Sequence, residues 1–451
     1  MSTLGARDYR PKLHYTPPKA WINDPNGLVF DGKEYHMFAQ HYPDATHPGP
    51  MHWLHAVSDD LIHWRQLGIA LAPDELGLIF SGSAIVDTNN TSGFGLGNDP
   101  LIAMFTHHGE TEQQSIAYSN DGINFIKYDG NPVIPNPGVN DFRDPKVFRN
   151  EILNCWSVVI ASGDRITFYR SDDFIHWGKT GEFGMSENKM GGIFECPDLF
   201  ALKAPDGSTV WILTASMIQP LETGGSRMQY FLGEFDGYTF HNTLPFDTPE
   251  LIDYGYDNYA AVTFAGTEDV LTLGWGASWT YAADEPTGEY CGCMTLARRQ
   301  SLIKTKVGLR MASVPILPKL YAPKKLASGS VLPSEVFVLD IQAAGAFSVV
   351  LKNGKGERFR FGLNTEGKFY TDRSVSGEMD FNKLYNSPVY QFTERERLME
   401  GPVRLRMVFD RSIAEFFADE GTYVNTTKVF PTEHYDIIIL ENAAAEVCNL
   451  E

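Results

Sequence analysis

Ser58 to Trp64 reads SDDLIHW, and Ser171 to Trp177 reads SDDFIHW. Weaker echoes stand at Ser119 to Phe125, SNDGINF, and at Glu234 to Phe240, EFDGYTF. Each follows an apolar stretch, LHAV, SIAY, ITFYR or YFLG. Ser and Asp side chains bind their own backbone in turns, so the pattern reads as strand, Asp-rich turn, and strand ending in an aromatic.

A second series runs in phase with the first. It comprises DPNGLVF at Asp24, FSGSAIV at Phe80, DPKVF at Asp144, ECPDLF at Glu195 and YAAVTF at Tyr259. Between the two lies a third set of apolar strands: YHMFAQ, LIAMFT, CWSVVIAS, VWILTAS and VLTLGWG. Five copies recur at intervals of about 50 to 65 residues. An all-β sequence with that period is expected to form a five-bladed β-propeller rather than a sandwich with coincidental turns. The first strand of each blade would then line a common channel.

After about Arg310 the texture changes. VPILPKLYAPKKLASGSVLP is rich in Pro, Lys and small residues and reads as a linker. FSVVLKNGKGERFRFGL reads as a hairpin around Asn353-Gly354, and VRLRMVF from Val403 as a half-exposed strand. The expected division is a propeller over residues 1–315, a linker over 316–326 and a C-terminal β-sandwich over 327–451.

Bulk composition narrows the function. With 451 residues, 43% hydrophobic and 21% charged, the chain has the makeup of a folded protein with a large core. A formal net charge of -20 argues against nucleic acid or an anionic membrane surface as partner. No apolar run approaches the roughly 20 residues that span a bilayer. The N-terminal MSTLGARDYRPKLHYTPP lacks the apolar segment of a secretory signal. Cys155, Cys196, Cys291, Cys293 and Cys448 have no zinc-finger spacing and read as free thiols of a reducing compartment, so a cytoplasmic location is expected. No Gly-rich phosphate loop and no His-rich metal motif is present, so neither cofactor nor metal is expected. The scattered histidines, His107 and His108 among them, read as packing residues, and Asp59, Asp60, Asp172 and Asp173 as solvated turn acids.

Asp24, Asp144 and Glu195 each lead a strand of the second series, so three carboxylates far apart in sequence are expected to face one channel. Two carboxyl groups flanking a glycosidic bond suffice for hydrolysis. One must be ionised, and Asp24 among its Asn neighbours suits that part. The other must keep a proton near neutral pH, and Glu195, between Phe194 and Cys196-Pro197, has an apolar setting that favours the neutral form. Asp144 follows Arg143, whose charge is expected to hold it ionised, as suits hydrogen bonding to a vicinal diol. A glycan-binding propeller without catalysis is the rival from another class.

These residues resemble glycoside hydrolase family 32, the β-fructosidases. WINDPNG at Trp21, FRDP at Phe142 and ECPD at Glu195 are similar to the family's nucleophile, stabiliser and acid/base motifs. MHWLHAVSDDLIHW from Met51, FSGSA from Phe80, DRSVSG from Asp372 and DRSIAEFFADEG from Asp410 extend the likeness over nearly the whole chain. The resemblance implies a propeller plus sandwich and a retaining hydrolysis at a β-linked fructofuranosyl unit. It makes Asp24 the nucleophile, Glu195 the acid and then base, and Asp144 the residue that holds the sugar hydroxyls. By motif position Asn23, Gln40, Ser81 and Arg143 line the site, with Trp53, Phe80 and Trp275 as further substrate contacts. Pro48-Gly49 stands where the family often has Trp-Gly.

The expectation is a retaining β-fructofuranosidase acting on a small saccharide, sucrose or short fructo-oligosaccharides. A fructosyltransferase with the same three acids and an inactive fructan-binding protein are the alternatives. Oligomeric state is open, a homodimer included.

Overall fold

The computed structural model describes residues 8–184, 187, 190–218 and 225–450. The first seven residues of the N-terminal stretch read above, and with them the start of the expected propeller, lie outside the described residues, as does the last residue of the expected sandwich. Among the described residues the chain is all-β, with helix confined to single turns such as Pro388–Gln391.

Five antiparallel sheets follow one another up to Pro315. They open on the strands Ala20–Phe30, Leu78–Val86, Phe142–Asn150, Ile193–Lys203 and Tyr259–Thr263. These five first strands coincide with the second sequence series, and each packs against the first strand of the next sheet. The last also meets the first: Ala265 N–H donates to the Leu28 carbonyl and Phe30 N–H to the Ala265 carbonyl, both at 2.9 Å. Tyr290–Cys291 adds a parallel strand beside Ala20-Trp21. Ala20–Phe30 is buried along nearly its whole length, which explains why it does not alternate apolar with polar.

The repeated SDD strings are the turns between third and fourth strands. Ser58 Oγ donates to Asp60 Oδ1 at 3.1 Å, and that oxygen accepts the Ile62 and His63 N–H groups at 2.9 and 2.8 Å. Asp173 repeats the arrangement with Ser171, Ile175 and His176 at 3.0, 2.9 and 2.8 Å. Asp121 does the same with Ser119, Ile123 and Asn124. These accepted bonds outweigh the cost of burial and hold Asp60 and Asp173 at a pKa of about 2. The aromatic ending each string precedes the next strand instead of closing it: Trp64 comes before Arg65–Leu71, and Trp177 before Gly178–Gly184.

Two further sheets follow. A six-stranded sheet runs Lys324–Leu326, Ala444–Cys448, Val336–Ala343, Val403–Asp410, Ile413–Ala418, Tyr423–Lys428. A five-stranded sheet runs Phe392–Glu396, Lys368–Val375, Arg358–Leu363, Phe347–Lys352, Ile437–Glu441. Phe337, Leu339 and Met407 of the first share one apolar core with Val349, Phe361 and Phe369 of the second. Phe347–Lys352 pairs with Arg358–Leu363 as the expected hairpin. The segment read as linker ends differently: Lys324–Leu326 pairs with Val447, Glu446 and Ala445, because its backbone covers a sheet edge. The Val403 strand is half exposed only at its start, since Val408 packs with Leu13, Ile62 and Leu296 of the N-terminal part.

Buried charge joins the two parts. Asp410 accepts the Lys12, Leu13 and His14 N–H groups, at 2.8 Å from Lys12 and 2.7 Å from Leu13, and the His14 ring at 2.8 Å. Arg298 pairs with Asp253 at 2.9 Å and with Glu415 at 3.0 Å.

Candidate active site

Each of the five first strands carries a β-bulge at the same depth. Register slips between Ile22 and Pro25, Ile79 and Gly82, Arg143 and Lys146, Glu195 and Asp198, and Tyr259 and Val262. In three of them the extra residue is left-handed without being glycine: Asp144 at φ 62°, Cys196 at 43° and Ala260 at 52°. Bulges re-aim side chains and gather beside active sites. Here four of the five strands, all but Tyr259–Thr263, send side chains from at or beside the bulge toward a common cavity.

That cavity, of about 380 Å³, is lined by Asp24, Asp144 and Glu195, and by Asn23, Gln40, Phe80, Ser81 and Arg143. The structure thus brings together eight of the ten residues picked from sequence. The remaining two, Trp53 and Trp275, are fully buried behind the wall. Trp53 donates its indole N–H to the Phe80 carbonyl at 3.0 Å and so fixes the strand carrying Phe80. Trp275 packs behind Trp279, ring centroids 5.0 Å apart, and it is Trp279, 37% exposed, that faces the cavity. Trp53 and Trp275 lie in the middle of sheets, on strands whose side chains enter the core between sheets.

Asp24 is held by donors. Ser81 Oγ donates to Oδ2 at 2.6 Å and Asn23 Nδ2 to Oδ1 at 3.1 Å. Asn23 is itself fixed by the Trp21 indole N–H at 2.7 Å. Asn26 ties the turn, donating to the Asp24 carbonyl at 2.8 Å and accepting from Gly82 N–H at 2.9 Å. Burial raises the Asp24 pKa above the ordinary carboxylate value, although the hydrogen bonds from Ser81 and Asn23 oppose it.

Asp144 accepts the Cys196 N–H on Oδ2 at 2.9 Å. The Cys196 thiol lies between two carboxylates, 3.5 Å from Asp24 Oδ2 and 3.6 Å from Asp144 Oδ2. Burial raises the Asp144 pKa, and the charges of Glu195 and Asp24 add to the rise while Arg143 counters it.

Glu195 departs most from the sequence reading. Its carboxylate is not in an apolar setting: Arg143 Nη2 donates to Oε1 at 2.8 Å and the Tyr259 hydroxyl to Oε2 at 2.6 Å. Desolvation nevertheless wins, and the Glu195 pKa is raised, with Asp24 adding to the rise. Arg143, expected to serve Asp144, instead directs its guanidinium to Glu195, Glu112 and Asp141, at 2.8, 3.0 and 2.7 Å. The register explains this. Arg143, Glu195 and Tyr259 occupy the same position before the bulge on three consecutive strands, so Glu195 is flanked by its own structural counterparts. One bulge position on, Asp144 is matched by Cys196.

Glu112, Asp141, His108 and Trp279 also line the cavity and carry no motif. His108, read as a packing residue, stacks on Phe80 with ring centroids 4.1 Å apart and bonds Glu112 through Nδ1 at 3.2 Å. Gln40 Nε2 is buried with no partner among the described residues, leaving its amide N–H groups for a ligand. The site therefore offers three desolvated carboxyl groups, one beside a guanidinium and a phenol, among amide and hydroxyl donors, a constellation suited to acid-base chemistry on a polyhydroxylated molecule.

Comparison with known proteins follows the same lines. Residues 14–313 match the N-terminal domain of glycosyl hydrolases family 32, and residues 319–451 match the family's C-terminal domain. The chain is 41% identical over 454 residues to a levanase of Bacillus subtilis (strain 168), covering 94% of this chain and 67% of that protein. It spans about half, 49%, of a second levanase from Bacillus sp. (strain L7). It is 35% identical over 489 residues to the extracellular exo-inulinase inuE of Aspergillus niger, covering 94% and 90%. The crystal structure of exo-inulinase from Aspergillus awamori superposes with a TM-score of 0.90 over 99% of both chains, at 30% identity. The chain belongs to glycoside hydrolase family 32 and is a glycoside hydrolase.

Proposed function

We propose that this glycoside hydrolase releases terminal β-D-fructofuranosyl units from sucrose or fructo-oligosaccharides, with retention of configuration. The observation that carries the reading is the convergence of Asp24, Asp144 and Glu195 in one cavity, each at or beside a bulge of its strand. Family relatives named for levan and inulin support the sugar.

Glu195 serves as the acid, its burial favouring the protonated form, and delivers its proton to the glycosidic oxygen as that bond breaks. The anomeric carbon of fructose carries two carbon substituents, so its cation is comparatively stable and leaving-group protonation is the step to assist. Asp24, oriented by Ser81 and Asn23, whose hydrogen bonds favour its anion against the effect of burial, attacks the anomeric carbon to form a fructosyl ester. Glu195, now a carboxylate, takes a proton from water, whose oxygen attacks the same carbon and expels Asp24. Asp144 and the free Gln40 donor hold ring hydroxyls, while Trp279 lies at the leaving-group side.

We also propose that the five N-terminal sheets are blades of a closed propeller and that the two C-terminal sheets form a sandwich beyond a linker ending before Lys324. A cytoplasmic location rests on the five buried free thiols alone. The exo-inulinase relative is described as extracellular and lends that location no support.

Incubation with sucrose, 1-kestose, inulin and levan tests the reading. Fructose should be freed from at least one of them, and release from none would overturn it.

A further inference from the structure

The outward face of the five-stranded C-terminal sheet carries a trough of about 410 Å³ that shares no residue with the carboxylate cavity. Strand register lays out its floor. Glu441 pairs with Ser348, Ser348 with Gly362 and Gly362 with Tyr370, so one outward row crosses four strands. Gly362 leaves the middle of that row without a side chain. A Cβ there would lie 2.2 Å from the Phe347 carbonyl oxygen, so the position accepts nothing larger.

One wall is aromatic. The Tyr370 and Phe392 rings lie 6.1 Å apart and within 19° of parallel. Tyr370 is pinned by its hydroxyl, which donates to Ser348 Oγ at 3.1 Å. Phe392 stands 42% exposed, although its strand neighbour Thr393 is buried. The rest of the rim is polar. Arg360, with nearly half its side chain in solvent, reaches Asp372 at 3.4 Å. Asn364 accepts the Glu366 and Lys368 N–H groups on Oδ1, at 3.0 and 2.9 Å, which orients its amide nitrogen away from them. Glu441 stands exposed at the far side.

A pair of near-parallel aromatic rings beside donors and acceptors of both kinds, with charges that nearly cancel, fits a neutral polyhydroxylated chain. An anionic polymer would meet the Glu441 and Asp372 carboxylates, and a protein partner would find one exposed ring, Phe392, beside the half-buried Tyr370. We propose that this trough is a second saccharide-binding site, remote from catalysis, that holds a length of fructan while its end is hydrolysed. The identity of the sugar rests on the function proposed above, whereas the trough itself does not.

Native gel electrophoresis of the full chain through gels containing levan, inulin or dextran tests the proposal. Asp24→Asn serves as background so that the polymer survives the run. Retardation by levan or inulin is expected, with affinity about tenfold weaker after Phe392→Ala or Arg360→Ala, since each removes one face of contact. In the Asp24-intact enzyme those variants should keep wild-type kcat/KM on sucrose and raise KM only for the polymer, which also establishes that they fold. Retardation unchanged in both variants would overturn the site. Loss of retardation by dextran alone would overturn its assignment to fructan. Concentration-dependent dimerisation abolished by Phe392→Ala would overturn it in favour of a second copy of the chain. Failure of the wild type to hydrolyse any fructoside would instead sink the proposed function, independently of the gel.

Discussion

Arg143 and Glu195 hold the same bulge position on neighbouring strands, and Arg143 Nη2 donates to Glu195 Oε1 at 2.8 Å. Tyr259, at that position on the next strand, donates to the other oxygen at 2.6 Å. Glu195 must be protonated to act as an acid, yet two donors favour its anion. Its burial, with the charge of Asp24 beside it, shifts the balance toward the proton.

Tyr259→Phe removes a bond that lowers the Glu195 pKa, so that pKa should rise further. The acid form is lost as pH rises through it, and the alkaline limb of kcat/KM should therefore move to higher pH. A limb that stays or moves down would separate Tyr259 from the acid.

Asp24→Ala and Glu195→Ala should each lower kcat by about three orders of magnitude or more, because each removes a participant in bond breaking. Retention of near-wild-type turnover by either variant would remove that residue from its role.

Asp144→Asn should stabilise the fold while crippling it. Burial, with Glu195 and Asp24 nearby, raises the Asp144 pKa above its unfolded value, so the ionised carboxyl costs stability as pH climbs above about 4. Asn keeps an acceptor for the Cys196 N–H and carries no charge. Thermal unfolding should show Tm higher by several degrees at pH 7 and no gain below pH 4, with activity greatly reduced. A lower Tm at pH 7 would contradict the electrostatic reading.

Cys196 should be inert to alkylation although it touches two catalytic candidates. Burial raises its thiol pKa far above the usual value, and the Asp144, Asp24 and Glu195 charges add to this. The thiolate is the reactive form. Activity should survive iodoacetamide at pH 8, and rapid inactivation with carbamidomethylation at Cys196 would contradict that.

The joint between the two parts should titrate. Burial opposes a charge on His14, but hydrogen bonds to Asp410 and Glu415 outweigh it and raise its pKa from 6.5 to about 9. A raised pKa contributes stability that is full below 6.5 and lost as pH rises through 9. The Tm advantage of wild type over His14→Gln should accordingly shrink across that window. A constant advantage would show that His14 acts through packing alone.

The sequence disclosed the repeat because turn chemistry is local: Asp60 and Asp173 bind residues two and three positions on, so the same letters recur. It disclosed Asp24, Asp144 and Glu195 because each sits beside a proline or at a strand entry that recurs with the repeat. It hid what depends on neighbouring strands. The one-place offset that pairs Glu195 with Arg143 comes from bulge register, which no local pattern encodes. Glu112, 31 residues before Arg143, meets it only once the second and third sheets are packed. Trp275 and Trp279 look equivalent in the string WGASW, yet one lies inside a strand and the other beyond its end.

Retention through an Asp24 ester is tested most directly by methanolysis. With methanol as acceptor and sucrose as donor, proton NMR of the first-formed glycoside reports its configuration before any equilibration. Methyl β-D-fructofuranoside is the expected product, and the α anomer as the initial product would contradict a covalent intermediate on Asp24.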